Sequence, residues 1–231
     1  MRKYPATRNR FDIASFTLCV LSWWLFASKL DAPKPCSFGA PAEFVIKHVS
    51  GNPTLNLNPD SEPWRDARSQ EMTKDCSREI EYGNLRTEIR SFWTDTDLYF
   101  LFSCPYEVLN VFLPPSGNSP RRGLWDRDVV EMFLGDDWQN IRHYREFEIA
   151  PTGDWIDLAI DLDRKNYDKT WRSGWQTAAR IDQTRKTWYA GARIPLRAVS
   201  EKPVRTDTQW RMNLYRIDGL GLDPVRHFMC W

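Results

Sequence analysis

The fold is decided by the stretch from Leu124 to Thr152, which reads LWDRDVVEMFLGDDWQNIRHYREFEIAPT. Apolar residues recur there at every second position, a period typical of strands rather than helices. In the first half, one face carries Val130, Met132 and Leu134, and the other carries Val129, Glu131 and Phe133. In the second half, one face carries Arg145, Phe147 and Ile149, and the other carries Glu146 and Glu148. The stretch therefore predicts two strands, each with a face that bears glutamate.

The same alternation continues along the chain. It recurs at Ile156–Asp161, Trp188–Ile194 and Trp210–Tyr215, and Leu98–Phe102 is apolar on both faces, as in a central strand. Only Asp66–Thr73 and Pro195–Ser200 have a short helical pattern. About eight to ten strands without a long amphipathic helix predict an all-β fold, an antiparallel β-sandwich of the jelly-roll or immunoglobulin-like type.

The composition narrows the class of protein. The 231 residues include 32 Lys and Arg against 31 Asp and Glu, 42% hydrophobic residues and 27% charged residues. These values indicate a globular domain rather than a disordered chain or a multi-span membrane protein. A net charge of +1 argues against nucleic acid as a partner. The twelve Trp indicate either deep packing or aromatic platforms on the surface.

The first 42 residues differ from the rest. A basic head with Arg2, Lys3, Arg8 and Arg10 precedes an uncharged run from Ile13 to Ala27, which is the pattern of a secretory signal. We interpret residues 1–30 as a signal peptide or signal anchor, 31–42 as a linker and 43–231 as the β-sandwich domain. The protein is then exported, being secreted, periplasmic or anchored, and meets a membrane only through this N-terminal segment. The alternative is a buried N-terminal helix.

Four of the five cysteines lie beyond the apolar segment: Cys36, Cys76, Cys104 and Cys230. In an oxidising compartment they allow three disulfide pairings, and free buried thiols remain an equal alternative. Their spacing does not favour a zinc or redox site.

The motifs of common enzyme classes are absent from the sequence, including GxSxG, the P-loop and HExxH. Glu131, Glu146 and Glu148 are the candidates for a glycosidase pair, which needs one carboxyl group with a raised pKa beside a second at a set separation. Hydrolysis of glycosides, or a domain associated with a hydrolase, is therefore one alternative function.

The polar faces of the strands favour a binding site instead. If they belong to one sheet, Glu131, Glu148, Asn213 and Tyr215 form a row with Trp125 at its edge. Carboxylates and amides bond sugar hydroxyls, and an indole face packs on the apolar side of a sugar ring. The alternative is a solvated sheet face with cross-strand ion pairs.

Residues 43–231 resemble the family 9 carbohydrate-binding module and its relatives. The matching pieces, in family order, are Pro63–Ala67, Thr94–Phe102, Leu124–Phe133, Tyr144–Thr152 with Gly153 and Trp155, Trp188–Pro195 and Trp210–Arg216. The resemblance implies a β-sandwich module without catalytic residues that binds a mono-, oligo- or polysaccharide. It also implies a role in polysaccharide breakdown, a carbohydrate catabolic process, and in some members a structural calcium ion.

The resemblance assigns roles to three residues of this chain. Trp125 matches one of the two Trp residues between which the family holds the sugar. Asp128 and Glu131 match the acidic positions that follow it in the family's motif. The family's arginine in the next strand falls on Glu148, which removes a cation from the expected site. The second clamp Trp, and with it a closing C-terminal strand, is expected beyond Trp231. The predicted carbohydrate-binding residues are Trp125, Asp128, Glu131, Glu148, Asn213 and Tyr215.

Two groups other than a sugar are candidate ligands. Calcium could use the acidic turns that hold Asp126, Asp128, Asp136, Asp137, Asp154 and Asp157. A haem-binding sandwich of the DOMON type has a similar strand pattern and would need a converging pair among Met132, Met212, Met229, His143 and His227. By parity, Met132 and Met212 are expected to fill the core instead.

Overall fold

Twelve strands and a single turn of helix build the domain in the computed structural model, which describes residues 42–221 and 225–231. The first six strands are β1 (Lys47–His48), β2 (Ser69–Met72), β3 (Thr87–Trp93), β4 (Asp97–Pro105), β5 (Val129–Gly135) and β6 (His143–Ile149). The others are β7 (Trp155–Asp161), β8 (Asn166–Asp168), β9 (Gln176–Asp182), β10 (Thr187–Pro195), β11 (Arg211–Asp218) and β12 (His227–Cys230). The helical turn α1 (Leu196–Val199) follows β10, and short 3-10 helices cover Gly83–Leu85 and Leu124–Asp126.

The strands form two six-stranded sheets. Sheet 1 has the order β1-β3-β4-β10-β9, with β2 also paired to β3, and sheet 2 has the order β12-β11-β5-β6-β7-β8. Every pairing is antiparallel except β1 with β3. The predicted all-β antiparallel sandwich is confirmed.

The main core lies between the sheets and follows the predicted alternation. Sheet 1 contributes Phe100 and Phe102, and sheet 2 contributes Met132, Phe147 and Leu214, all fully buried. Strand β4 lies between β3 and β10 and is buried on both faces, as Leu98–Phe102 predicts. The apolar parity of each strand therefore decides which side chains face the partner sheet.

The outer face of sheet 1 is closed by the chain that precedes β2. Trp64 is 1% exposed, and its ring lies 4.6 Å from that of Phe92. Its indole nitrogen donates to the carbonyl of Asn56 at 3.0 Å, so the polar group is satisfied although it is buried. Leu55 and Leu57 pack against the same cluster. Sheet 1 is thus covered on both sides by its own chain.

Two local predictions have different outcomes. The pattern at Pro195–Ser200 is confirmed by α1, whereas Asp66–Thr73 is not a helix, because its second half forms β2 along β3. Pairing of Ser69–Met72 with Thr87–Arg90 supplies backbone hydrogen bonds that this short segment could not secure alone as a helix. At the C-terminal side, β12 is the edge strand of sheet 2, and Trp231 packs on the main core.

One buried arginine joins the two sheets. Arg216, on β11, is fully buried, and its guanidinium donates to the Leu85 carbonyl at 3.0 Å and to the Thr87 hydroxyl at 2.8 Å. It also pairs with Asp218 at 2.5 Å and donates to the Pro105 carbonyl. Because Thr87 and Pro105 belong to β3 and β4, the network fixes β11 against sheet 1.

Of the cysteines, Cys76 and Cys230 form a disulfide, and Cys104 is a buried free thiol. The Cys76–Cys230 bond occurs in one of the three pairings that the sequence allows, whereas Cys104 follows the alternative of a free buried thiol. Cys19, Cys36, residues 1–30 and nearly all of the linker lie outside the described residues. Among residues 42–221 and 225–231, no helix has the length and apolar character needed to cross a membrane.

Candidate functional site

The outer face of sheet 2 collects the polar residues that the alternation predicted. Tyr215 pairs with Glu131, and Glu131 pairs with Glu148, so these three side chains form one row across β11, β5 and β6. The next row is Asn213, Phe133 and Glu146. We call these six residues the glutamate face. Residues far apart in sequence meet here because β11 inserts beside β5 in the sheet order.

Trp125 lies at one end of this face. It belongs to the 3-10 helix Leu124–Asp126, and Gly123 before it has a φ of 78°, a conformation that favours glycine. Trp125 is half-buried and packs against the apolar cluster of Leu124, Val129 and Ile217 that continues the face. The sharp turn at Gly123 thus brings the indole to the edge of the sheet.

Glu131 and Glu148 are an unusual pair, since like charges directly opposite on neighbouring strands destabilise a sheet. Glu131 is 7% exposed and Glu148 is 0% exposed. Burial and the nearby charge of Glu146 raise the pKa of Glu131 to about 8, while Arg226 opposes the rise. Burial, followed by the charges of Glu131 and Glu146, also raises the pKa of Glu148 well above its ordinary value. The two carboxyl groups therefore retain protons at pH values where an exposed glutamate is fully ionised.

The carboxyl group of Glu148 is poorly satisfied. Both of its oxygens are buried, and in the described part of the chain the only group that approaches them as a hydrogen-bond partner is the neighbouring carboxyl group of Glu146. Such a group is costly unless it is neutral or finds a partner, so the raised pKa is the physical response to its position.

Tyr215, Asn213 and Phe133 form the half-exposed part of the face. Asn213 Nδ2 donates to the Tyr215 hydroxyl at 2.8 Å, which leaves the hydroxyl proton available to another acceptor. The Phe133 ring meets the Tyr215 ring edge-on, with centroids 5.0 Å apart. Amide, hydroxyl and aromatic groups thus lie side by side on an accessible surface.

Asp128 lies below the face rather than on it. It is fully buried, and its carboxylate accepts backbone N–H groups of Asn110 at 2.8 Å and Gly219 at 3.0 Å. Burial raises its pKa to about 7, and the hydrogen bonds from Asn110 and Gly219 act in the opposite direction. Asp128 therefore joins two loops at the base of the site.

Sequence reasoning missed Arg226. Its guanidinium is 5% exposed and donates to the carbonyls of Trp125 at 2.8 Å and Arg127 at 2.5 Å. Its charge also acts on Glu131. Arg226 therefore supplies a positive charge near Glu131, although Glu148 occupies the position where the family has an arginine. Arg226 precedes β12 in a loop without periodicity, so no local pattern could have placed it beside Trp125.

The six aspartates proposed as calcium ligands do not cluster with one another in the described part of the chain. Within residues 42–221 and 225–231, the one cluster of three side chains close enough to share a metal is His143, Asp161 and Asp163. The aspartates instead accept hydrogen bonds from protein groups: Asp154 from Ser116 and Arg121, Asp157 from Ser173, and Asp136 from Ser200. In these three aspartates the bonded oxygens already have protein partners, which makes them less available to a metal ion.

The haem candidates also have other partners. Met132 and Met229 are fully buried in the main core, where Met212 packs against them. His143 bonds Asp161 at 2.9 Å, and the His227 ring lies 4.5 Å from that of Tyr82. These positions fit packing and surface ion pairs rather than a pair of axial ligands.

The sequence matches no protein-family model, and it is not significantly similar to any curated protein. The fold, however, is shared with carbohydrate-binding modules. A family 9 module from Caldicellulosiruptor kristjanssonii, solved with cellotriose, superposes with a TM-score of 0.52 at 15% identity over 80% of this chain and 82% of its own. The same kind of module solved with glucose gives 0.52 and 16%, covering 80% and 85% of the two chains.

A third structure is a candidate carbohydrate-binding protein from Bacteroides uniformis, with a TM-score of 0.56 at 13% identity over 80% of this chain and 89% of its own. The class defined by the fold is therefore a two-sheet β-sandwich. Within that class, its architecture is that of the family 9 carbohydrate-binding module, as the sequence resemblance predicted.

Proposed function

We propose that this protein binds carbohydrate at the glutamate face. The single observation that carries the proposal is the row of Tyr215, Glu131 and Glu148 beside Trp125. In this role Trp125 packs on the apolar side of a sugar ring, while Asn213, Tyr215 and the edge of Glu131 bond its hydroxyls. Asp128 and Glu148 are fully buried and act as positioning residues.

The protonation of the carboxyl pair suits a neutral, hydroxyl-rich ligand. A protonated carboxyl group offers a donor as well as an acceptor, and a sugar hydroxyl can satisfy both. The neighbouring structures support this choice of ligand, since two of them hold cellotriose and glucose.

The test is isothermal titration calorimetry with glucose and cellotriose. Trp125→Ala and Glu131→Leu are each expected to weaken binding by about tenfold or more, because the first removes the stacking surface and the second removes the hydrogen-bonding group. Glu88→Gln is the matched control, a strand glutamate of sheet 1 whose loss should leave affinity unchanged. Unchanged binding in folded Trp125→Ala and Glu131→Leu proteins would refute the site.

We further propose that binding takes place after export and serves polysaccharide breakdown. The Cys76–Cys230 disulfide supports an oxidising compartment, because such bonds are rare in reducing ones. The signal-like pattern of residues 1–30 supports the same route. Fractionation of cells that express the full chain, with mass spectrometry of the protein, tests export. Recovery in the cytoplasm with reduced Cys76 and Cys230 would contradict it.

Glycoside hydrolysis is the second candidate, because the raised pKa of Glu131 is what a general acid requires. Binding is preferred, since both pKa values shift upward together and Glu148 has no exposed surface, whereas a hydrolase separates the roles of its two carboxyl groups. Release of reducing sugar from cellotriose, lost in Glu131→Gln, would favour the enzyme over the module.

A further inference from the structure

Two neighbouring cavities lie away from the glutamate face, at the end of the sandwich where β10 leads into α1. The first has a volume of about 270 Å³ and is bounded in part by Arg145, Trp171, Arg172 and Arg197. The second has a volume of about 350 Å³, and Arg197 lines it as well. We call the first the arginine cavity.

Arg145 carries the decisive charge in the arginine cavity. It is half-buried on β6, its Nε donates to the Ala198 carbonyl at 3.1 Å, and its guanidinium lies 5.0 Å from the centre of the Trp171 ring. In the described part of the chain, no carboxylate lies within ion-pair distance of it. A half-buried cation without an anionic partner is unfavourable in a folded protein, and an anionic ligand would compensate it.

The other charges leave the cavity cationic. Arg172 is compensated by the buried Asp157 beneath it, with 3.2 Å between Nη1 and Oδ1. Arg197 is exposed and makes no ion pair with any described residue. Among the described residues, Glu201 is the only acidic one that lines the cavity. Two arginines therefore stand against one exposed carboxylate on its walls.

The adjoining cavity offers groups of a different kind. Asn52, Thr96 and Gln176 line it, while Arg193 there is already paired with Asp97 at 2.9 Å. Amide and hydroxyl groups of this type bond hydroxyls rather than charges. A ligand that spans both cavities would thus carry an anionic group at one end and hydroxyls at the other.

We propose that the arginine cavity binds the carboxylate of a uronic acid unit, with the next sugar of the chain in the adjoining cavity. The planar guanidinium of Arg145 matches a carboxylate in a two-point hydrogen bond, and Arg197 contributes from the shared wall. This inference rests on the proposed function to the extent that the ligand is a carbohydrate, but it assigns a second site that takes an anionic rather than a neutral sugar.

The test is an NMR titration of the ¹⁵N-labelled protein at neutral pH with glucuronate, glucose and inorganic sulfate. Glucuronate should shift the Trp171 indole N–H and the Arg145 Nε–H signals, whereas glucose should shift signals of the glutamate face only. Arg145→Gln should weaken glucuronate binding by about tenfold or more, as expected for the loss of a charged hydrogen-bonding partner.

Two further variants separate binding from folding. Arg197→Gln replaces an exposed side chain and should weaken glucuronate binding by about threefold without affecting the fold. Arg68→Gln is the matched control, an exposed arginine elsewhere on the domain, and should leave binding unchanged. Trp125→Ala should also leave glucuronate binding unchanged while glucose binding weakens by about tenfold or more.

Three results would overturn the assignment: no response of Trp171 to glucuronate, full affinity in both Arg145→Gln and Arg197→Gln, or sulfate binding as tightly as glucuronate. If glucose still bound at the glutamate face in those cases, this inference would fail and the proposed function would stand. If glucuronate bound as described and neutral sugars did not bind, the proposed neutral-sugar site would fail instead.

Discussion

The two sheets of this sandwich treat their outer faces differently. On sheet 1, Trp64 and the segment before it convert the outer face into a second core. On sheet 2, part of the outer face is apolar and covered near Leu124, while Asn213, Phe133 and Tyr215 remain half-exposed. Aromatic residues occupy both faces, so aromatic content alone does not identify a binding surface. The difference lies in the polar groups, which are satisfied around Trp64 and unsatisfied around Glu148.

The largest expected effect is on stability, from the outer face of sheet 1 that Trp64 covers. Trp64→Ala should lower the free energy of unfolding by about 3–5 kcal/mol, because it removes a fully buried side chain and leaves a cavity. Urea denaturation measures the change. Calorimetry with cellotriose under stabilising conditions should give unchanged affinity. A loss of affinity without a loss of stability would contradict the structural role of the sheet 1 face.

The buried carboxyl groups of the glutamate face should make the free energy of unfolding depend on pH. The folded pKa of Glu131 is raised from 4.5 to about 8, so the folded state holds a proton that the unfolded state releases in this interval. The stabilising contribution is therefore complete below pH 4.5 and is lost as pH rises through 8, with a cost of a few kcal/mol. Asp128, with a pKa near 7, acts in the same direction.

The variant Glu131→Gln isolates the contribution of Glu131 to this pH dependence. Urea denaturation of both proteins at pH 5, 7 and 9 should show a shallower decline in the variant, since Asp128 is retained. Glu148 complicates only the size of the difference, because its folded pKa is raised as well. Identical pH profiles for the two proteins would show that the carboxyl pair does not hold the extra proton.

The smallest expected effect concerns one hydroxyl. Tyr215→Phe keeps the ring that packs against Phe133 and removes the oxygen that Asn213 bonds. Affinity for cellotriose should fall by roughly three- to tenfold, the usual effect of one neutral hydrogen bond, with little change in stability. Equal affinity in this variant would limit the sugar-contacting surface to the side of Trp125.

The alternation of apolar and polar residues was sufficient to predict which strand residues of the candidate site face away from the core. The positions of Glu131 and Glu148 in alternating runs predict that both leave the core side, and the structure brings them together with Asn213 and Tyr215. The relation holds because side chains on successive strand residues point to opposite faces. Neighbouring strands in one sheet then align their outward residues.

The remaining parts depended on contacts between distant segments. Arg226 reaches Trp125 from a loop, and the pairing of Cys76 with Cys230 joins positions 154 residues apart. Part of Asp66–Thr73 forms a strand because it pairs with the edge of β3. The burial of Asp128 follows from two loops whose backbone N–H groups it accepts. None of these follows from a local period, since each depends on which segments the fold brings into contact.

The Cys76–Cys230 bond also bears on how this protein avoids self-association. Strand β12 ends sheet 2, and an exposed edge strand is a template on which a second molecule can pair. Here Lys74 and Asp75 meet the free side of β12, with the Cys76 N–H bonded to the Phe228 carbonyl at 3.0 Å. The covalent link holds this short segment over the edge. We therefore expect reduction of this cysteine pair to free the β12 border of sheet 2 and to raise the tendency of neighbouring molecules to pair through it.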